Sequence, residues 1–249
     1  MLTAEQARTA VARDWARTLA VLDELGDAGD ATPTRCAGWT LTDLARHGAW
    51  GTSMEADALR RARTGTPGTA EGREPDGGAA AVTAALRASV ADLDAELAQA
   101  GDIAEGTSLE LPFGPVPAAF GLAVFTMEAG FHADDAVAAA GRDEALGEDV
   151  VGATTTVLPL VLPVLAAAAG SAPPAEGTVL ALRGPAVELR FAVVDGAWAA
   201  AAEASPAGTV TGTDDTAVLR FALGRAGTDD PRLTVDGLAA EFKAWFPGP

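Results

Sequence analysis

The chain has 249 residues, enough to bury a full core and to make two domains. A hydrophobic share of 49% argues against disorder. A formal net charge of -18 argues against nucleic acid and anionic membrane surfaces, because both attract basic faces.

Thr3 and Gln6 stand in the spacing of a capping box that opens a first helix. Val11, Trp15, Leu19, Leu22 and Leu25 follow at helical spacing, and the helix is expected to end near Gly26. Asp27 to Gly38, with Pro33 and Cys36, reads as a loop. Thr40 is the predicted N-cap of a second helix, with Asp43 as its acid at N3. This helix bears His47 and runs toward Arg63. Thr64 to Gly78 is rich in Gly, Pro and Thr and reads as an exposed loop. A third helix places Val82, Leu86, Val90, Leu93 and Leu97 on one face. Ser108 to Pro115 breaks the helical pattern. A fourth helix runs from near Pro117 to Ala140 and bears Glu128 and His132. A fifth spans Asp149 to Ala168, with Pro159 and Pro163 predicting a bend.

Gly170 to Gly177 is the expected linker. Beyond it the period changes. Thr178 to Arg183 and Val187 to Val194 read as strands, Asp195-Gly196 as a hairpin turn, and Ala197 to Ala204 as the pairing strand. Asp214 to Leu223 reads as a helix, Arg232 to Val235 as a short strand, and Leu238 to Trp245 as a final helix. The expected architecture is α + α/β. A bundle of four helices plus one occupies 1–169, a linker 170–177, and a small α/β domain 178–249.

Cys36 is the only cysteine, so no intrachain disulfide forms and a reducing cytosol fits. Met1 to Glu5 lacks the basic start of a signal peptide. The longest apolar run, Val157 to Ala169, is short for a membrane span and holds two prolines. A cytoplasmic protein without nucleic-acid or membrane partners is expected, as a monomer or small homo-oligomer.

The chemistry centres on the two histidines. Glu128 and His132 are four residues apart, which stacks them on one helix face. His47 is the other imidazole available, and bundles build metal sites between facing helices. Two histidines and a glutamate would give a zinc-like ion three ligands and leave one position open. Spacing alone does not decide whether the three meet. Asp43, Asp134 and Asp135 are candidates for the outer hydrogen bonds that orient the imidazoles. Trp39 and Trp50 are candidates to line a pocket, though tryptophans near helix starts commonly pack in a core. Cys36 reads as a small apolar filler beside Arg35 rather than a nucleophile. The Gly65 to Gly78 segment has no phosphate-loop pattern.

The run Trp39-Thr40-Leu41-Thr42-Asp43-Leu44-Ala45-Arg46-His47 resembles the opening signature of the mycothiol-dependent maleylpyruvate isomerase family, within the DinB-like superfamily. Glu128-Ala129-Gly130-Phe131-His132-Ala133-Asp134-Asp135, after Phe113-Gly114-Pro115, resembles its second signature. The tail around Leu182, Phe191, Trp198 and Leu219 to Arg225 resembles the family's sterol-carrier-like domain. The resemblance implies a DinB-like four-helix bundle that holds zinc, or another divalent metal, on His47, Glu128 and His132. It implies mycothiol as the thiol cofactor, a small electrophilic substrate, and transferase or isomerase chemistry. It further implies an arginine that holds a carboxylate or the cofactor, with Arg225 first and Arg220 second, and a place for Trp39 at the cofactor.

The chain departs from the family where Ala133 and Asp134 replace an aromatic residue and an arginine. That substitution is expected to put a negative charge near the metal. It keeps open a metalloenzyme of the same fold doing non-thiol chemistry. A non-catalytic ligand-binding or regulatory module is the third reading. Arg61, Arg63 and Arg73 lie in or beside the loop after the second helix, and the sequence does not say which of them faces the site.

Overall fold

The computed structural model describes residues 2–104, 106–201 and 204–247. The chain divides into two compact units, Met1–Ala153 and Thr154–Pro249.

The first unit is helical. Its helices are α1 (Ala4–Leu25), α2 (Leu41–Thr64), α3 (Ala79–Leu97) and α4 (Ala118–Ala139). Both expected capping boxes are present. The Thr3 hydroxyl accepts from the Gln6 N–H while the Gln6 side chain accepts from Thr3, and Thr40 and Asp43 do the same at α2. Each satisfies two backbone donors that a helix start leaves without partners. α1 packs on α4, α2 on α3, α1 on α3 and α2 on α4, which closes a four-helix bundle. The buried stripes of α1 and α3 come from the predicted periodicity, with Val11, Trp15, Leu22, Leu86 and Leu93 each at most 3% exposed. Close approach is possible where a side chain is missing. A Cβ on Gly48 would lie 2.8 Å from the Trp15 ring, and one on Gly130 would lie 2.4 Å from Val150. The segment that breaks the helical pattern is a hairpin of β1 (Ser108–Leu111) and β2 (Gly114–Pro117), turning at Pro112-Phe113.

α5 (Glu148–Ala168) spans the line between the units at 153. Among the described residues it is the one helix long and apolar enough to cross a membrane by length and composition. Pro159 and Pro163 lie inside it, and Val157, Leu158 and Leu162 are fully buried.

The second unit is built on a five-stranded sheet. Its strands are β3 (Val179–Arg183), β4 (Glu188–Val194), β5 (Ala197–Ala200), β6 (Gly208–Gly212) and β7 (Leu233–Gly237), in the order β5-β4-β3-β6-β7. β3 and β6 run parallel and every other pair is antiparallel. α6 (Asp215–Ala222), which lies between β6 and β7 in the chain, is capped by Asp214, whose carboxylate accepts from the Ala217 N–H. β6 has no counterpart in the sequence reading, because Gly-Thr-Val-Thr-Gly carries the marks of a turn. Its strand identity comes from pairing on both sides. The expected final helix is a 3-10 turn, Leu238–Glu241, followed by the single turn α7 (Phe242–Trp245). The fold is thus a helical N-terminal unit with a C-terminal sheet unit, as expected.

Candidate metal centre

The site lies wholly in the helical unit. α2 presents His47 and α4 presents Glu128 and His132, one turn apart. One ligand atom from each of the three comes within 4.8 Å of the other two. The His47 and His132 rings are 5.2 Å apart and nearly perpendicular. Nε2 of His132 stands 3.3 Å from Oε2 of Glu128 without making a hydrogen bond.

His132 is 4% exposed, and neither ring nitrogen has a hydrogen-bond partner among the described residues. A buried imidazole left in that state is costly unless something else takes its lone pair. Two imidazoles and a carboxylate form a donor set that suits zinc, and one donor atom of each already lies within 4.8 Å of the others. The residues fit such an ion. The expected outer hydrogen bonds are arranged differently. Among the described residues neither Asp134 nor Asp135 bonds His132. Asp135 accepts from the Cys36 thiol at 3.3 Å, and the Asp43 carboxylate accepts from the N–H and hydroxyl of Thr40. Those Thr40 bonds, helped by Arg46, hold the Asp43 carboxyl below the usual carboxylate range.

Two cavities meet at His47. The inner one, about 160 Å³, is walled by Trp15, Met54, Leu111, Phe113, Val124 and Phe125, with His47, Glu128 and His132 in its lining. The outer one, about 590 Å³, is mixed in character, lined by Asp43, Arg46 and Glu74 together with Trp39. His47 and Trp50 belong to both. Trp39 lies 5.1 Å and Trp50 5.6 Å from the His47 ring, and Trp15 lies 5.6 Å from His132. Gly48 admits Trp15 to this position, since a methyl there would collide with its ring.

Glu55 was not singled out in the sequence and also lines the inner cavity. It is 3% exposed, and its Oε2 has no hydrogen-bond partner among the described residues. Burial, and then the charge of Glu128, push its carboxyl well above the ordinary glutamate range. The available signal was register: Leu44, Gly48, Glu55 and Leu59 share the buried stripe of α2, where a carboxylate is out of place.

The family profile of the mycothiol maleylpyruvate isomerase N-terminal domain matches residues 11–137, just over half of the chain. The chain belongs to the mycothiol maleylpyruvate isomerase family. The matched stretch holds His47, Glu128 and His132. A crystal structure of the mycothiol-dependent maleylpyruvate isomerase shares the fold over 94% of this chain and 93% of its own, with a TM-score of 0.69 and 18% identity. A crystal structure of a histidine-to-alanine mutant of that isomerase gives the same figures. No curated protein matches the chain.

The charge expected near the metal from this member's departure at position 134 is met by a cation. Asp134 is 3% exposed, and Arg35 binds both its carboxylate, at 2.8 Å, and its carbonyl. None of Arg61, Arg63 and Arg73 lines the inner cavity. Arg61 binds Asp57 and the Pro67 carbonyl, Arg63 binds Glu96, and Arg73 lines a separate pocket between α2 and α3. In the sheet unit, Arg225 donates to the Leu223 carbonyl just beyond α6, as a basic residue at a helix C-terminus can. Arg220 is 1% exposed.

Proposed function

We propose that the chain is a metal-dependent thiol enzyme, an S-transferase or isomerase that uses mycothiol on a small electrophile. The observation that carries this reading is the convergence of His47, Glu128 and His132 at a junction of two unlike cavities. The family supplies the thiol. His47, Glu128 and His132 would hold a zinc-like ion, and a bound cation supplies stabilisation of a thiolate, the nucleophilic form of the thiol.

The protein's own residues divide the remaining work. Trp39 and Trp50 offer flat walls, and Asp43, Glu74 and Arg46 offer charged acceptors and donors, to the hydrophilic body of the thiol. The apolar inner walls, Met54, Phe113 and Phe125 among them, take the electrophile and exclude water. The thiolate sulfur bonds to one carbon of a conjugated double bond, and the π pair moves onto the electron-withdrawing group. In an isomerase rotation follows about what is now a single bond, the pair returns, the S–C bond breaks and the thiolate is released. In a transferase the other carbon takes a proton from solvent instead, and the thioether is the product. In the sheet unit, the half-buried Arg225 is the proposed holder of a carboxylate, and the buried Arg220 is second to it. A cytoplasmic location completes the proposal, since low-molecular-weight thiols stay reduced there.

The alternative of non-thiol chemistry rested on a negative charge near the metal at Asp134, a carboxylate that pairs with Arg35.

Metal analysis of the purified wild type against Glu128→Ala tests the site, coupled to mycothiol consumption and isomerisation assays with electrophilic substrates. Stoichiometric metal in the wild type, lost together with activity in the variant, is the expected result. Equal metal in both proteins sinks the metal site. Stoichiometric metal with neither thiol consumption nor isomerisation sinks the thiol chemistry.

A further inference from the structure

Glu55 has no counterpart in this scheme. It lies eight residues after His47 on α2, lines the cavity shared by the three candidate ligands, and is 3% exposed. Its Oε2 is without a hydrogen-bond partner among the described residues. It is not one of the donors that lie within 4.8 Å of one another, so it stands beside the candidate ion's ligands rather than among them. The arginines farther along α2 are engaged elsewhere: Arg60 with Asp92 and Glu96, Arg61 with Asp57, and Arg63 with Glu96. Met54, Val124 and Phe125 share the lining and offer no side-chain donor. A carboxyl so placed needs a polar partner, and the cavity is where one can arrive.

We propose that Glu55 selects and orients the guest of the inner cavity, accepting a hydrogen bond from an O–H or N–H carried close to the guest's metal-facing atom. The proposal rests on the reading that His47, Glu128 and His132 hold a metal. Glu55 is a specificity residue in this role. A guest lacking the donor leaves its oxygen buried and unsatisfied, whereas a guest with the donor satisfies it.

Two small thiols separate the ideas, because 2-mercaptoethanol carries a hydroxyl and ethanethiol does not. Titration calorimetry of the zinc-loaded full chain is expected to show 2-mercaptoethanol binding about ten-fold more tightly. Glu55→Leu is expected to abolish that preference, and Glu55→Gln, whose amide still accepts, to keep most of it, with metal content equal in all three proteins. The equal metal content is a readout that simple damage to the core would move. A wild type without the preference overturns the proposal, as does a Glu55→Leu variant that retains it. Loss of metal in both variants also overturns it, and makes Glu55 a ligand. A wild type that holds no metal removes the underlying reading and the proposal with it, which is a different result from bound metal with indifferent thiol binding.

Discussion

Gly48→Ala tests whether the packing of the bundle sets the geometry of the site. On helix propensity alone the change stabilises α2 by about 1 kcal/mol. The structure opposes this, because the new methyl would lie 2.8 and 2.9 Å from two Trp15 ring atoms and 3.4 Å from Leu86. Comfortable carbon contacts begin near 3.5 Å, so the indole must move by roughly 0.6 Å or more. Trp15 is 1% exposed and Leu86 fully buried, so the open direction is the cavity that Trp15 lines. Overpacking of this kind costs about 1–3 kcal/mol, which outweighs the propensity gain and leaves a net loss of about 1 kcal/mol. The site should suffer more than the fold, since Trp15 lies 5.6 Å from His132 and sub-ångström shifts matter to a ligand set. We expect the melting temperature to fall by about 2–4 °C and zinc affinity by about ten-fold or more, read by thermal melts and by competition with a chelator. Gly51→Ala is the control, because a Cβ there meets nothing within 4 Å on the same helix. It should gain stability and bind metal as the wild type does. If both variants gain stability alike and hold zinc equally well, the argument from Trp15 is wrong.

Arg35→Ala strips the 3%-exposed Asp134 carboxylate of its guanidinium and should cost about 1–3 kcal/mol in urea denaturation, with metal content unchanged because Arg35 lies outside the inner cavity. A loss of metal would place Asp134 back at the site. Burial, with Arg225 adding to it, lowers the Lys243 ammonium to about 7, against 10.5 for the free side chain. Below pH 7 both folded and unfolded chains hold the proton, and the folded one bears the full destabilisation. Between pH 7 and 10.5 the folded chain has released it, so the destabilisation shrinks as pH rises. Lys243→Met loses the bond to the Phe221 carbonyl at either pH, so the expected outcome is a more favourable change in stability at pH 6 than at pH 10. An equal change at both pH values counts against a buried charge.

The helices were legible because their signals are local. Thr3 with Gln6 and Thr40 with Asp43 announce two helix starts within four residues each, and the structure forms both boxes. The His47, Glu128 and His132 set could be named, since the chain has two histidines and one of them follows a glutamate at helical spacing. Their meeting could not be read, because it depends on how α2 and α4 pack. The same holds for Arg35 and Asp134, 99 residues apart in the chain. β6 was hidden for a related reason. Its Gly208 and Gly212 permit close neighbours, with a Cβ at 208 falling 2.2 Å from the Ala239 nitrogen, so the residues that suggest a turn are those the sheet requires. Glu55 was in plain view, but a glutamate in a helix looks solvated until its face is known to be buried.

The aromatic surroundings of the two imidazoles give the molecule a built-in optical reporter. The chain has five tryptophans and no tyrosine, so its intrinsic emission comes from indoles alone. Trp15, Trp39 and Trp50 each lie within 5.6 Å of a histidine ring. The other two, Trp198 and Trp245, lie against each other in the sheet unit, where they form a steady background. Any guest or ion that arrives at His47 or His132 thus alters the surroundings of most of the emitters, and binding can be followed in unlabelled protein.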